Sequence, residues 1–270
     1  MTDTSKFRRL TAEAAPGMTR AGTFLARPPH RPENRILASL PAAELGALTP
    51  HLQLVTMPTG ALLRHPDAAL DHVYFPHQGV ISLLAVTLTG ETIEVASAGR
   101  NGAICPVLSS EPHDALVGAI AHGPMRASRI PAADLHEILP QVATLAPAME
   151  ACREALLHQL RQNLVCCGLH SVEHRLARWL LETSDRLETE MVPATQEHVA
   201  QRLGVRRTTV TLLASKLQDG GAIRWGRSRV QVLDRGRLEA MACGCYPTLR
   251  ERMRAVPPAE PPAAASEMAS

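Results

Sequence analysis

The sequence has no long hydrophobic run: none of its 270 residues lies in a stretch approaching the 18 or so uninterrupted apolar positions of a membrane-spanning helix. No membrane partner is therefore expected. The N-terminus lacks the apolar core of a secretion signal. Cysteine is scarce, six in all with none before Cys105. Without an export signal, such thiols fit a reducing cytoplasm better than a disulfide framework. Also missing are a nucleophile–base pair at recognisable spacing, a phosphate-binding loop and an HExxH run, so no catalytic residue is assigned and no enzyme is expected.

What is present is concentrated in TQEHVAQRLGVRRTTVTLLASKL, Thr195 to Leu217. Val199 and Leu203 form the apolar stripe of one short helix; Val210, Leu213, Ala214 and Leu217 form that of a second. Thr195 suits an N-cap, with Glu197 in the first turn where the helix dipole favours a carboxylate. Gly204 supplies the bend and Val205 can plug the angle between the helices. The outward face of the second helix then carries Arg207, Thr208, Thr211, Leu212 and Ser215, with Gln196 and Lys216 beside it. Such small or cationic side chains suit base edges and phosphates.

Past Gly220-Gly221, which offer a left-handed cap, two short alternating runs, 222–225 and 229–233, flank Gly226-Arg227-Ser228. They read as a β-hairpin wing with a basic tip, where Arg224, Arg227 and Arg229 join Arg206 and Thr209 as phosphate-contacting candidates. Charge agrees. Residues 191–255 hold 12 Lys and Arg against 5 Asp and Glu, a balance of +7, whereas the rest holds 16 against 21, or −5. The chain is near neutral yet polarised, with its cations on the segment that double-stranded DNA would touch.

The length suggests two domains. Residues 1–33 are polar and aperiodic and read as a disordered arm; 256–270, with PPAEPPAAAS, reads as a disordered tail. Over 34–139, short β runs alternate with turn residues, including His77-Gln78-Gly79, Thr89-Gly90 and His122-Gly123-Pro124, which suggests an antiparallel sandwich or β-roll as a sensor domain. Over 140–169 the period is helical: Leu145, Met149, Cys152, Leu156, Leu160, Leu164 and Cys167 form one stripe along roughly 24 residues, or about 36 Å. Met149, Cys152, Leu156, Leu160 and Leu164 are assigned to a homodimer seam. Ser171 can cap a further helix through Leu176, Trp179 and Leu180, opening a DNA-binding domain over 170–255.

A β-roll, a long helix, a hinge and a winged helix-turn-helix in this order resemble the Crp/Fnr family of bacterial transcription regulators. The resemblance runs from Asn34 to about Arg254 and is carried by HVYFPHQGVISLL, HSVEHRLARWLL, LGVRRTTVTLLASKLQDGGAI and DRGRLEAMACGCY. It implies an α+β fold with a cyclic-nucleotide-binding-like roll, a dimerisation helix, palindromic DNA sites and RNA polymerase as a partner. The departures matter as well. Members that bind cyclic AMP carry a Gly-Glu pair and an Arg-Ser or Arg-Ala pair some ten residues on; here GRNGAICPVLSSEPHDALVGAI has no clear Glu counterpart and His113-Asp114 stands near the expected arginine. An acid there repels a phosphate. Gly99, Arg100, Asn101 and Gly102 remain the candidate effector pocket, for an unidentified small molecule rather than a cyclic nucleotide. The family's iron–sulfur members need cysteines near the N-terminus, so no cluster and no other cofactor is expected. His170 and His174 could share a metal, but no further ligand is evident in the sequence, and thiol chemistry at Cys166, Cys167, Cys243 and Cys245 stays open. Of the family's Arg-Glu-x-x-x-Arg reading set, only Arg207 matches, with Thr208 and Leu212 at the other positions. The alternative is a ligand- or redox-sensing module whose helix pair mediates protein contacts.

Overall fold

Short β-prone runs separated by turns build the N-terminal half. The computed structural model describes residues 23–25, 32–64, 71–87, 89, 91–104 and 117–254. Its first elements are β1 (Thr23–Leu25), α1 (Arg35–Ser39), α2 (Ala42–Leu48), β2 (Gln53–Met57), β3 (Leu62–Arg64), β4 (His72–Val86), β5 (Thr92–Ala98), β6 (Val117–Pro131) and α3 (Ala132–Ile138). The six strands form one antiparallel sheet in the order β1-β2-β6-β4-β5, with β3 also on β6. Part of the expected arm is therefore structured, because Thr23–Leu25 pairs with Leu54–Thr56 and covers the open edge of β2. The expected tail, and His113-Asp114, lie outside the described residues.

Two expected turns are absorbed into long strands. His77-Gln78-Gly79 lies within β4 and His122-Gly123-Pro124 within β6, and the register between the strands shifts twice around residues 76–80. Gly79 and Gly123 take φ of +84° and +82°, so glycine here makes a bulge that bends the strand and not a reversal. A Cβ on Gly79 would stand 2.7 Å from the Pro124 carbonyl oxygen. β4 and β5 pair as neighbours, and the Thr87 N–H donates to the Glu91 carbonyl at 2.9 Å between them; Gly90 of the expected Thr89-Gly90 turn lies outside the described residues. Phe75, Ile81, Ile104, Ile130, Leu37 and Leu48 fill the core between the sheet and the flanking helices. Each such side chain contributes roughly 1.5–3 kcal/mol by leaving water.

The second half comprises α4 (Leu145–Leu169), α5 (Val172–Leu187), β7 (Met191–Pro193), α6 (Gln196–Leu203), α7 (Arg207–Asp219), β8 (Ile223–Trp225), β9 (Arg229–Val232), α8 (Arg235–Met241) and α9 (Cys245–Arg254). The long helix forms as its period implies, but its stripe divides. Cys152 and Leu156 are buried against the roll of their own chain and Met149 packs beside them, whereas Leu160 and Leu164 are exposed. Cys152 and Leu156 are thus core residues and not part of a seam. Each step of four residues advances 400°, about 40° past a full turn, so three successive steps carry the stripe off the inner face. Gly168 does not break the helix, which ends only at His170; Ser171 then accepts the His174 N–H and starts α5.

The roll and the C-terminal half meet along α5 and β5. Arg178, Glu182 and Arg186 lie buried on α5 as one charged row, with Arg178 Nη1 2.7 Å from Glu182 Oε1 and Arg186 Nη2 3.3 Å from Glu182 Oε2. Asn163 of α4 accepts from Arg178 at 2.7 Å and donates to the Val95 carbonyl of β5 at 2.8 Å, which ties the helices to the sheet. Arg202 of α6 reaches across to Glu94 and donates to Ser82 Oγ at 2.6 Å. Trp179 Nε1 donates to the same Glu94 at 3.2 Å.

Candidate nucleic-acid interface

The helix pair forms as its punctuation predicts. The Thr195 hydroxyl accepts the His198 N–H at 3.2 Å, and Gly204 closes α6 in the left-handed region at φ +63°. Val199, Leu203, Val210, Ala214 and Leu217 are buried and Val205 packs against them, which fixes the angle between α6 and α7. With that stripe turned inward, Arg207, Thr208, Thr211, Leu212 and Ser215 are all exposed on the opposite face. Leu212 is the conspicuous member, an apolar side chain left 71% exposed. Thr211 Oγ1 donates to Gln196 Oε1 at 2.7 Å, so Gln196 sits at the same surface and links the two helices.

The wing is a three-stranded sheet, β7-β9-β8, one strand more than the sequence suggested. Met191–Pro193 escapes a periodicity search because it has only three residues and ends in proline. Gly221, at φ +70°, provides the left-handed turn into β8. Arg206, Arg224, Arg227 and Arg229 are exposed, and among the described residues neither they nor Arg207 has an ion-pair partner. Lys216 differs: its ammonium lies 2.6 Å from Glu173 Oε2 of α5, so part of its charge is answered within the chain. Thr195 and Thr209 are half-buried, and the hydroxyl of Thr195 serves as a cap.

The expected effector residues also come together. Gly99, Arg100, Asn101 and Gly102 line a cavity of about 450 Å³ whose far wall is the end of α5, including Glu182, Arg186 and Glu188. Close packing explains the glycines. A Cβ on Gly99 would stand 3.2 Å from the Arg186 backbone oxygen, and one on Gly102 would stand 3.2 Å from Cys152 Sγ. The guanidiniums here face the chain's own carboxylates: Arg35 and Arg100 meet Glu188 at 3.1 and 2.9 Å, and Arg235 meets Asp185 at 2.6 Å.

Asn34 and His77 organise this turn, and sequence reasoning missed both. Asn34, wholly buried, donates to the Pro76 and Gly102 carbonyls at 2.9 Å each and accepts from Ile36 and Leu37 as the cap of α1. Its own N–H donates to His77 Nδ1 at 3.1 Å, which leaves Nε2 as the protonated nitrogen facing Ser128 Oγ at 2.8 Å. Burial lowers His77 to about 4. His122, edge-on to Trp179 at 5.7 Å, is likewise lowered to about 4 by burial, with His198 and Arg186 adding to the effect. The only advance signal was His77's place in the HVYFPHQGVISLL run.

The order of parts is a β-roll, a long helix and a winged helix-turn-helix. The Crp-like helix-turn-helix domain matches residues 174–241. The nitrogen fixation regulation protein FixK of Bradyrhizobium diazoefficiens is 31% identical over 93 residues, which cover 32% of this chain and 39% of that protein; the chain thus spans well under half of that relative. Among solved structures, FixK2 of Bradyrhizobium japonicum superposes with a TM-score of 0.61 at 18% identity, covering 72% of this chain and 98% of that one. A transcriptional regulator described as of the crp/fnr family, from Eubacterium rectale, superposes with a TM-score of 0.60 at 18% identity, covering 77% and 98%. Residues 174–241 are thus a Crp-like helix-turn-helix domain, and the chain shares the fold of these two solved structures.

Proposed function

We propose that the protein is a dimeric transcription regulator that binds palindromic duplex DNA through α7 and responds to a small molecule other than a cyclic nucleotide at the 99–102 turn. The observation that carries this reading is the outward face of α7 and the wing, where five exposed arginines have no counter-charge among the described residues. Arg207 can donate a bidentate pair to guanine O6 and N7, Leu212 can touch a thymine methyl, and the wing arginines can hold phosphates. An exposed apolar group on the outer side of α4 (Leu160, Leu164, Val165 and Leu169) supports pairing with a second copy about a two-fold axis. Such a dimer would present its two reading helices to half-sites about 34 Å apart. The self-paired guanidiniums around the cavity support an effector without a phosphate. RNA polymerase contact, a cytoplasmic location and the absence of catalysis belong to the same reading.

The deciding experiment is selection of bound sequences from random duplex DNA, with and without cell extract, followed by a salt titration on the enriched site. A two-fold-symmetric site and a steep fall in affinity with salt are expected. Equal recovery of all sequences and a flat salt response would favour a helix pair that serves protein contacts instead.

A further inference from the structure

Three cysteines and a histidine distant in sequence converge where the long helix meets the C-terminus. Cys166 occupies the last turn of α4 and is fully buried; His170 is the residue that ends that helix. Cys243 is buried in the link after α8, and Cys245 is half-buried at the start of α9. Their Sγ and imidazole nitrogen atoms all lie within 4.8 Å of one another. Cys166 Sγ stands 3.9 Å from Cys243 Sγ, and Cys245 Sγ stands 3.8 Å from His170 Nδ1. Ligands about 2.3 Å (sulfur) and 2.0–2.1 Å (nitrogen) from a tetrahedral ion are separated by roughly 3.5–3.8 Å, so the preformed edges nearly match. A disulfide would need its sulfurs about 2.05 Å apart.

We propose that Cys166, His170, Cys243 and Cys245 bind one zinc ion in a tetrahedral Cys3His site that staples α4 to the C-terminal segment. The surroundings suit such an ion. Gln162 Nε2 lies 2.9 Å from Cys245 Sγ and 3.8 Å from Cys166 Sγ; an amide nitrogen only donates, so both sulfurs are oriented as acceptors, the role of a metal-bound thiolate. Three thiolates and a divalent cation leave one negative charge, and the buried Arg178 guanidinium acts electrostatically on Cys166 and Cys243. The site also closes a corner. His170 and Ser171 are the two residues between α4 and α5, so zinc would fix the direction in which the DNA-binding half leaves the long helix. Cys167 lies outside the group, exposed and 3.0 Å from Arg175 Nη1, and Cys152 bonds to Ala103 within the roll, so both serve as internal controls.

The test uses the full chain, reduced, with cobalt and then zinc as probes, and involves no DNA, so its failure would leave the regulator reading standing. One cobalt per chain is expected, with sulfur-to-metal charge-transfer bands and the strong d–d absorption of tetrahedral coordination, both bleached by zinc. Cys243→Ser and His170→Ala should lose these bands and Cys167→Ser should keep them, while Gln162→Ala should weaken binding about 10–100-fold. Because the ligand variants could misfold, the unaltered chain supplies a second readout. Zinc should protect Cys166, Cys243 and Cys245 from alkylation in peptide maps and leave Cys167 reactive. Absence of the cobalt bands, or equal alkylation with and without zinc, would overturn the site. So would equal loss of binding in Cys167→Ser, or a Cys166–Cys243 disulfide that forms regardless of zinc.

Discussion

Arginine does opposite jobs at two places in this molecule. On α7 and the wing it is exposed and has no ion-pair partner among the described residues; along the junction with the roll, Arg178, Arg186 and Arg202 are buried and each faces a carboxylate, Glu182 or Glu94. The difference follows from solvation. A guanidinium in water can wait for an external anion at little cost, whereas one withdrawn from water needs a counter-charge in the fold. Composition alone would count the buried Arg202 with the exposed arginines in the basic 191–255 segment, yet only the exposed set is available to a phosphate backbone.

The largest effect is expected where that comparison is broken at the junction. Glu182→Ala leaves Arg178 and Arg186 buried without their shared carboxylate and should cost about 3–5 kcal/mol in denaturant unfolding, whereas Arg207→Ala should change stability by less than about 0.5 kcal/mol. Equal losses would mean that the junction charges are solvated. Acid should weaken the same junction. His122 is lowered from 6.5 to about 4, so the fold favours its neutral form. Its contribution is intact above pH 6.5 and is lost as the pH falls toward 4, by roughly 3 kcal/mol for a difference of that size. His77 is lowered to about 4 as well, so His122→Gln should reduce the pH dependence of unfolding over this window by about half and leave the part due to His77.

On the outer surface the effects should appear in binding. Arg207→Ala should cost about 1–3 kcal/mol at the selected site, while Arg227→Ala should weaken all sequences alike and reduce the salt slope by about 1. Leu160→Glu should leave the protomer folded, because the side chain is already 42% exposed, but light scattering should find a monomer with only weak non-specific affinity. Leu156→Glu should instead fail to fold, since Leu156 is part of the roll's core. A dimeric Leu160→Glu variant would refute the proposed seam. The smallest expected effect is none: cyclic AMP should not tighten DNA binding, and micromolar binding by calorimetry would contradict the reading of the cavity.

The C-terminal half was the more legible. Thr195, Gly204 and the Val210–Leu217 stripe act within one or two helical turns, so capping and periodicity suffice to locate them. The roll was less so. Gly79 and Gly123 read as reversals because a glycine between two β runs has the same local signature in a bulge as in a turn, and only the facing strand distinguishes them. The stripe on α4 was real, but sequence records apolarity and not which neighbour covers it, so a core (Cys152, Leu156) and an exposed group (Leu160, Leu164) merged into one seam.

By itself, then, the sequence determined the order of parts, the helix pair and the polarity of charge, all consequences of interactions a few residues apart. Tertiary structure alone decided which arginines are spent inside the fold, how Asn34 and His77 hold the 99–102 turn, and that Cys166 and His170 meet Cys243 and Cys245 more than seventy residues later. Those are contacts across long loops, whose partners no local pattern names because they are chosen by packing the two halves together.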